Sequence, residues 1–241
     1  MAIQNLDRVY TENLLAGNRR ACRAIIHQAL EQGSSPADLY ENLLWPAMAH
    51  VAKLWKQDRI NRATEQLATR INRMVADQLQ GLLTNVPACG KKALLLCAPH
   101  EPEELGAQMI CDMLEACGWE VYFLGGGVPD DEVLMLVGLH RPDALIIYGT
   151  RPENTPAIRG LIDNIRHIDP CPEMNVMLSG GIFARADGLW NEVRADLFAS
   201  DLRETIEVVC SAEPRDPQAK NSGVRRRRRR RPVMEVVGAV I

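Results

Sequence analysis

Pro99-His100-Glu101-Pro102-Glu103-Glu104-Leu105-Gly106 separates an apolar run, Lys92 to Cys97, from a helical pattern, Glu104 to Cys117. A short apolar run closed by a proline reads as a buried strand. A loop between such a strand and a helix lies outside the carboxyl end of the strand, where open α/β sheets bind their ligands. Further strands are predicted at 92–97, 120–124, 143–149 and 174–179, with a short one near 196–199. Helices are predicted at 104–117, 130–139, 155–167, 185–192 and 201–211. This alternation predicts an α/β fold with a doubly wound, flavodoxin-like parallel five-stranded sheet.

The chain before this unit reads as helix throughout. Leu14, Leu15, Ala21, Ile25, Ile26 and Leu30 keep helical spacing up to Gly33, and Ser35-Pro36-Ala37-Asp38 has the order of a helix start. That second helix carries Leu39, Leu43 and Leu44, meets Pro46 and is expected to restart there. The last helix is expected from about Asn61, with Leu67, Ile71, Met74, Val75 and Leu79 on its buried face. Short connections favour an antiparallel four-helix bundle. The expected units are a helical cap at 1–86, a sheet domain at 91–212 and a disordered arginine-rich tail at 213–241, with Thr84 to Gly90 as linker.

The 241 residues are 46% hydrophobic, enough for a substantial core. No apolar run approaches the roughly 20 residues of a membrane span, and the N-terminus lacks a secretory pattern, so a cytoplasmic location is expected. Seven cysteines form no CxxC pair and read as free thiols. The overall charge of −3 conceals an asymmetry: Arg225 to Arg231 carry seven positive charges and leave the rest of the chain at −10.

A helical bundle followed by this α/β unit resembles the two-module cobalamin-binding proteins, which include corrinoid carriers of methyltransferases and light-responsive regulators. The resemblance covers about residues 10 to 211. In the family's signature loop an acid, a spacer, a histidine, two spacers and a glycine follow the first strand. Here Glu101 matches the acid, Gly106 the glycine, and Glu103 stands in the slot of the cobalt-ligating histidine. Gly180-Gly181 matches a glycine pair that lets the cofactor's nucleotide tail pass close to the backbone. Trp55, followed nine residues later by Glu65-Gln66, resembles the Trp and Glu-His of the light-responsive branch, with Gln66 in the place of histidine. Tyr148 stands where members often carry a small serine beside the buried nucleotide base, and its ring is expected to fill that space.

These departures argue against cobalamin ligated by a protein histidine, because a carboxylate is a poor substitute for imidazole as axial ligand. They favour a metal-free tetrapyrrole. A biliverdin-type bilin has pyrrole N–H groups that need acceptors, and Glu103 and Gln66 supply oxygens while Trp55 stacks on the plane. The alternatives are cobalamin held without Glu103, haem, and an empty pocket in which Glu101, Glu103 and Glu104 are solvated acids favoured by a helix dipole. His100 is the only candidate axial ligand, and a lone loop histidine is more often a solvated residue. Cys89 and Cys97 are candidates for covalent bilin attachment, with packing as the simpler role. Gly125-Gly126-Gly127 lacks the GxGxxG spacing and reads as a tight turn at the cofactor's edge.

The expectation is a non-enzymatic, tetrapyrrole-binding sensor of photoreceptor type, acting through a homo-oligomer or a regulatory protein partner. Its rivals are a corrinoid methyl-carrier subunit and an interaction protein without cofactor. The Arg225–Arg231 run suits nucleic acid, an anionic membrane or an acidic protein without sequence specificity, or it is merely solvated.

Overall fold

The structure, a computed structural model, describes residues 3–99, 101, 104–181 and 188–218. Its first part is helical: α1 (Ile3–Leu15), α2 (Arg19–Glu31), α3 (Pro36–Leu39), α4 (Trp45–Lys56) and α5 (Arg62–Gln80). Side-chain caps start three of them. Asn18 accepts from Ala21 N–H, Ser35 from Asp38 N–H and Asn61 from Thr64 N–H.

The expected break at Pro46 does not occur. Residues 40–44 form a wide π turn with right-handed backbone on both sides, so the chain stays helical from α3 into α4. Proline has no N–H to offer the fourth residue back, and it follows directly on the wide turn, in which Trp45 N–H donates to Tyr40 O, five residues back. The joined helix makes four columns of the five helices. Their apolar faces meet around Tyr10, Leu14, Tyr40, Leu44, Ile71 and Val75, all almost fully buried.

The second part alternates β1 (Lys92–Cys97), α6 (Leu105–Ala116), β2 (Glu120–Gly125), α7 (Asp130–His140), β3 (Ala144–Tyr148), α8 (Thr155–Ile168), β4 (Asn175–Ser179), α9 (Leu189–Glu192), β5 (Leu197–Ala199) and α10 (Leu202–Ser211). All pairings are parallel, in the order β2-β1-β3-β4-β5. Each predicted strand is present within one residue at either end. Of the helix expected at 185–192, the described part is α9, four residues long, and 182–187 lie outside the described residues.

Two cores sandwich the sheet. Leu94, Leu96, Ile147 and Leu178 face α7 and α8, whereas Leu95, Cys97, Ile146 and Met177 belong to a core that runs through α6 and α10 into the helical cap. α6 and α10 thus cover one face of the sheet, and the cap packs on α6 and over the carboxyl ends of β3 and β4. Tyr40 on the joined helix lies 2.9 Å from Asp112 Oδ2 on α6, Gln108 donates to Asp77 Oδ1 on α5 at 2.8 Å, and Arg203 on α10 grips Glu41.

Ordered chain continues past residue 212, where the tail was expected to begin. Asn175 Nδ2 donates to Glu213 O, Arg215 N–H donates to Glu173 O, and the Arg215 guanidinium reaches Pro172 O and Asp196. The arginine run 225–231 lies outside the described residues. Among the described residues no helix is long and apolar enough to cross a membrane.

Candidate functional site

The strand order reverses between β1 and β3, and the loops that leave these strands face the α4–α5 end of the cap. Ligands bind at such a reversal in this class of sheet. A cavity of about 150 Å³ lies between the two parts, lined by Trp45, Met48, Ala49, Ala52, Trp55 and Lys56 of α4, Glu65 of α5, and Tyr148, Thr150, Gly181 and Ser200 from the sheet side. The α4 residues recur every three or four positions and form one helix face. The roof is aromatic and methyl-lined, with a single cation at its edge.

Two acids of the signature loop bind the loops on either side of it. Glu101 accepts Thr150 N–H at 2.8 Å and Thr150 Oγ1–H at 2.5 Å, joining the loop after β1 to the loop after β3. Lys56 Nζ donates to Thr150 O at 3.3 Å, so the cap reaches the same point. Burial raises the Glu101 carboxyl above the ordinary carboxylate range, against the lowering effect of the Thr150 hydrogen bonds, Lys56 and Arg151. Glu104 accepts Gly126 N–H at 2.7 Å and so holds the turn after β2. In the sequence Glu104 figured only in the empty-pocket alternative, as one of three solvated acids. Nothing in its own neighbourhood reveals this bond, because the turn comes to it from 22 residues away.

Tyr148 ends β3, is 3% exposed, and sets its ring edge-on to Trp45 at 6.4 Å between centroids. Its ring also lies directly on Gly106. A β-carbon placed on Gly106 would come within 2.3 Å of the Tyr148 hydroxyl and 2.5 Å of its Cζ. Gly106 is therefore the space into which the phenol packs. Gly180 has φ +107°, and a β-carbon on it would meet Gly149 O at 2.2 Å, so no side chain fits. Gly181 opens onto the cavity.

Trp55 and Glu65 line the cavity together. Gln66 donates to Glu65 Oε2 at 2.9 Å, next to that lining carboxylate. His100 and Glu103, on which the ligand argument turned, lie outside the described residues. Cys97 is buried at the end of β1 and Cys89 is exposed in the linker; neither is a lining residue of the cavity. Gly125 and Gly127 have positive φ, as a tight turn requires. No group of three or more potential metal ligands occurs among the described residues. Trp45, Met48, Ala52 and Lys56 escaped the sequence reading, although with Trp55 they recur at three- and four-residue spacing along α4.

Comparison with known proteins bears on this geometry. Residues 6–80 and 91–206 match two family models, each described as a B12 binding domain. The chain belongs to the two-module cobalamin-binding family. It is similar to monomethylamine corrinoid protein 1 of Methanosarcina acetivorans, 21% identical over 88% of this chain and 99% of that one. Monomethylamine corrinoid protein 2 of the same organism is 22% identical over 83% of this chain and 94% of the relative. The structure of the Methanosarcina barkeri monomethylamine corrinoid protein superposes with a TM-score of 0.76 at 18% identity, covering 86% of this chain and 98% of that one. At such identity the likeness shows the fold.

The residues present fit the family's cofactor only in part. The flat apolar roof of α4 suits a macrocycle. The slot between Gly106 and the end of β3, where the resemblance places the nucleotide base, is occupied by the Tyr148 ring, and the signature loop carries Glu103 where the family has histidine. With the Tyr148 ring in this position a nucleotide base has no room beside Gly106, and Glu103 offers a carboxylate in place of the imidazole. The cavity itself, at about 150 Å³, falls short of the roughly 300–1,000 Å³ of pockets for drug-sized ligands.

Proposed function

We propose that this chain is a non-catalytic regulatory protein of the cobalamin-binding family that clamps a flat tetrapyrrole between α4 and the β1–β3 edge, leaving no nucleotide tail buried. The observation that carries this reading is the Tyr148 ring seated on Gly106. A corrin with its tail outside the protein comes first, because both halves of the chain match B12 binding domains. This reverses the order drawn from Glu103, Gln66 and Tyr148 in the sequence, which placed a bilin first. The linear bilin is the second reading: it has no tail, so Tyr148 is compatible with it, and Trp55 and Glu65 already line the roof.

The small cavity supports a regulatory role. A tetrapyrrole enters only if α4 moves away from the sheet, which breaks the Lys56–Thr150 contact and shifts the population of cap positions. A homo-oligomer or protein partner reading that shift is the proposed output, and light is the proposed signal on the Trp55–Glu65 spacing. The corrinoid methyl-carrier reading draws on the monomethylamine corrinoid relatives, but carriers of this kind rely on the histidine that Glu103 replaces.

An absorption spectrum tests the proposal. The full chain purified from cells supplied with both hydroxocobalamin and biliverdin is expected to retain corrin bands or a red bilin band. A colourless protein under every supply would sink the proposal, and a Soret band would redirect it to haem.

A further inference from the structure

The face of α7 turned away from the sheet is an unusual surface. Val133 and Val137 pack inward, and the opposite side shows Asp131, Glu132, Met135, Gly138 and Leu139 at helical spacing. Met135 is 62% exposed and Leu139 70%. Gly138 leaves a flat step between them, and a β-carbon there would lie 3.9 Å from Pro170, so the end of α8, with Ile168 59% exposed, adjoins the stripe. Single exposed apolar residues need no explanation, whereas a contiguous stripe marks an interaction surface. At its amino-terminal end stand three exposed acids, Asp130, Asp131 and Glu132.

We propose that this face is the docking surface for the chain's own C-terminal segment, Arg225 to Ile241. The segment has the complementary two-part chemistry: seven consecutive arginines, then Val233, Met234, Val236, Val237, Val240 and Ile241. The described chain also ends in the right place. Pro214 and Arg141, the residue that caps α7, line a common cavity beneath the sheet, and Arg215 fixes the backbone there through Pro172 O. The chain therefore leaves beside the carboxyl end of α7. That helix, 11 residues long, spans about 16 Å at 1.5 Å per residue. The seven residue steps from Gln218 to Arg225 reach about 24 Å when extended. The arginines thus reach the acids at the far end of α7, and the apolar segment returns over Met135 and Leu139. The pairing is intramolecular, which raises its effective concentration, and it accounts for a strongly basic segment on a body of charge −10.

The test is site-directed photo-crosslinking in the full chain, with Met135→p-benzoylphenylalanine. The expected result is an adduct between position 135 and peptides from 225–241 of the same polypeptide, in yield that falls several-fold in an Asp131→Lys/Glu132→Lys background and with added salt. Both acids are exposed, so that background is expected to keep the parent's circular dichroism. Mixed isotope-labelled preparations distinguish the occupants. Adducts joining light and heavy chains would assign the face to a second copy and overturn the proposal, as would the absence of any adduct to 225–241.

Discussion

Tyr148 and Gly106 form a pair whose substitution effects are coupled. Gly106→Ala alone drives a methyl into the phenol, and overpacking of this kind costs about 2 kcal/mol. Tyr148→Ser removes the ring and costs about 3 kcal/mol through the cavity left behind. The double variant is expected to be less destabilised than the sum, because the serine leaves room for the alanine. Denaturant melts of the four proteins measure this, and simple additivity would separate the two residues. Tyr148→Ser also reopens the slot for a nucleotide base, so it is expected to raise cobalamin affinity at least tenfold in a spectral titration. The identity of Tyr148 and its place at a strand end were legible in the sequence, and so was the consequence that its ring fills space. That the space is Gly106 itself was not, because the contact joins residues 42 positions apart.

At the scale of elements, the cap is held to α6 by a proton-dependent contact. Tyr40 has one hydroxyl proton and two acceptors in reach, Ala76 O at 2.8 Å and Asp112 Oδ2 at 2.9 Å. When Asp112 is protonated it donates to Tyr40 and Tyr40 donates to Ala76 O, so each link is made. When Asp112 is ionised, Tyr40 must choose between them. Burial foremost, with Glu115 and Asp77 nearby, raises the Asp112 carboxyl from 3.8 to about 6, against the lowering effect of Tyr40. The folded state therefore binds this proton more tightly than the unfolded state. The resulting stability is fully present below pH 3.8 and is lost as pH rises through about 6. Asp112→Asn, whose amide donates at every pH, is expected to remove this segment of the pH–stability curve and to stabilise the protein at pH 7. Urea melts between pH 4 and 7 check it, and an unchanged pH slope would exclude Asp112 as its source. The strands were legible almost to the residue because each is a continuous apolar run between turn residues. The joined helix was not, since Pro46 reads as a stop and nothing in the sequence marks the π turn before it, in which Trp45 N–H donates to Tyr40 O.

For the whole molecule, the proposed function treats the cap as a lid on the switch point of a parallel sheet, over a cavity of about 150 Å³. Lys56 is a tie across that closure. Lys56→Met is expected to speed tetrapyrrole association in stopped-flow absorbance, with a thermal stability change under about 1 kcal/mol, since one partly exposed contact is worth little. An unchanged association rate would show that closure does not gate entry. The family was legible from the loop, the glycine pair and the Trp55–Glu65 spacing. The inner face of α4 was legible in principle, as a three-and-four-residue recurrence from Trp45 to Lys56. The bridging roles of Glu101 and Glu104 were not, because they depend on how three loops from separate strands come together.

The proposed ligand is a tetrapyrrole with no buried nucleotide tail. The most direct test is a paired spectral titration of the full chain with cobalamin and with cobinamide, the corrin that lacks the tail. Cobinamide is expected to bind at least tenfold more tightly, a difference that Tyr148→Ser narrows. Equal or tighter binding of cobalamin to the unaltered chain, with its tail base buried, would contradict the account.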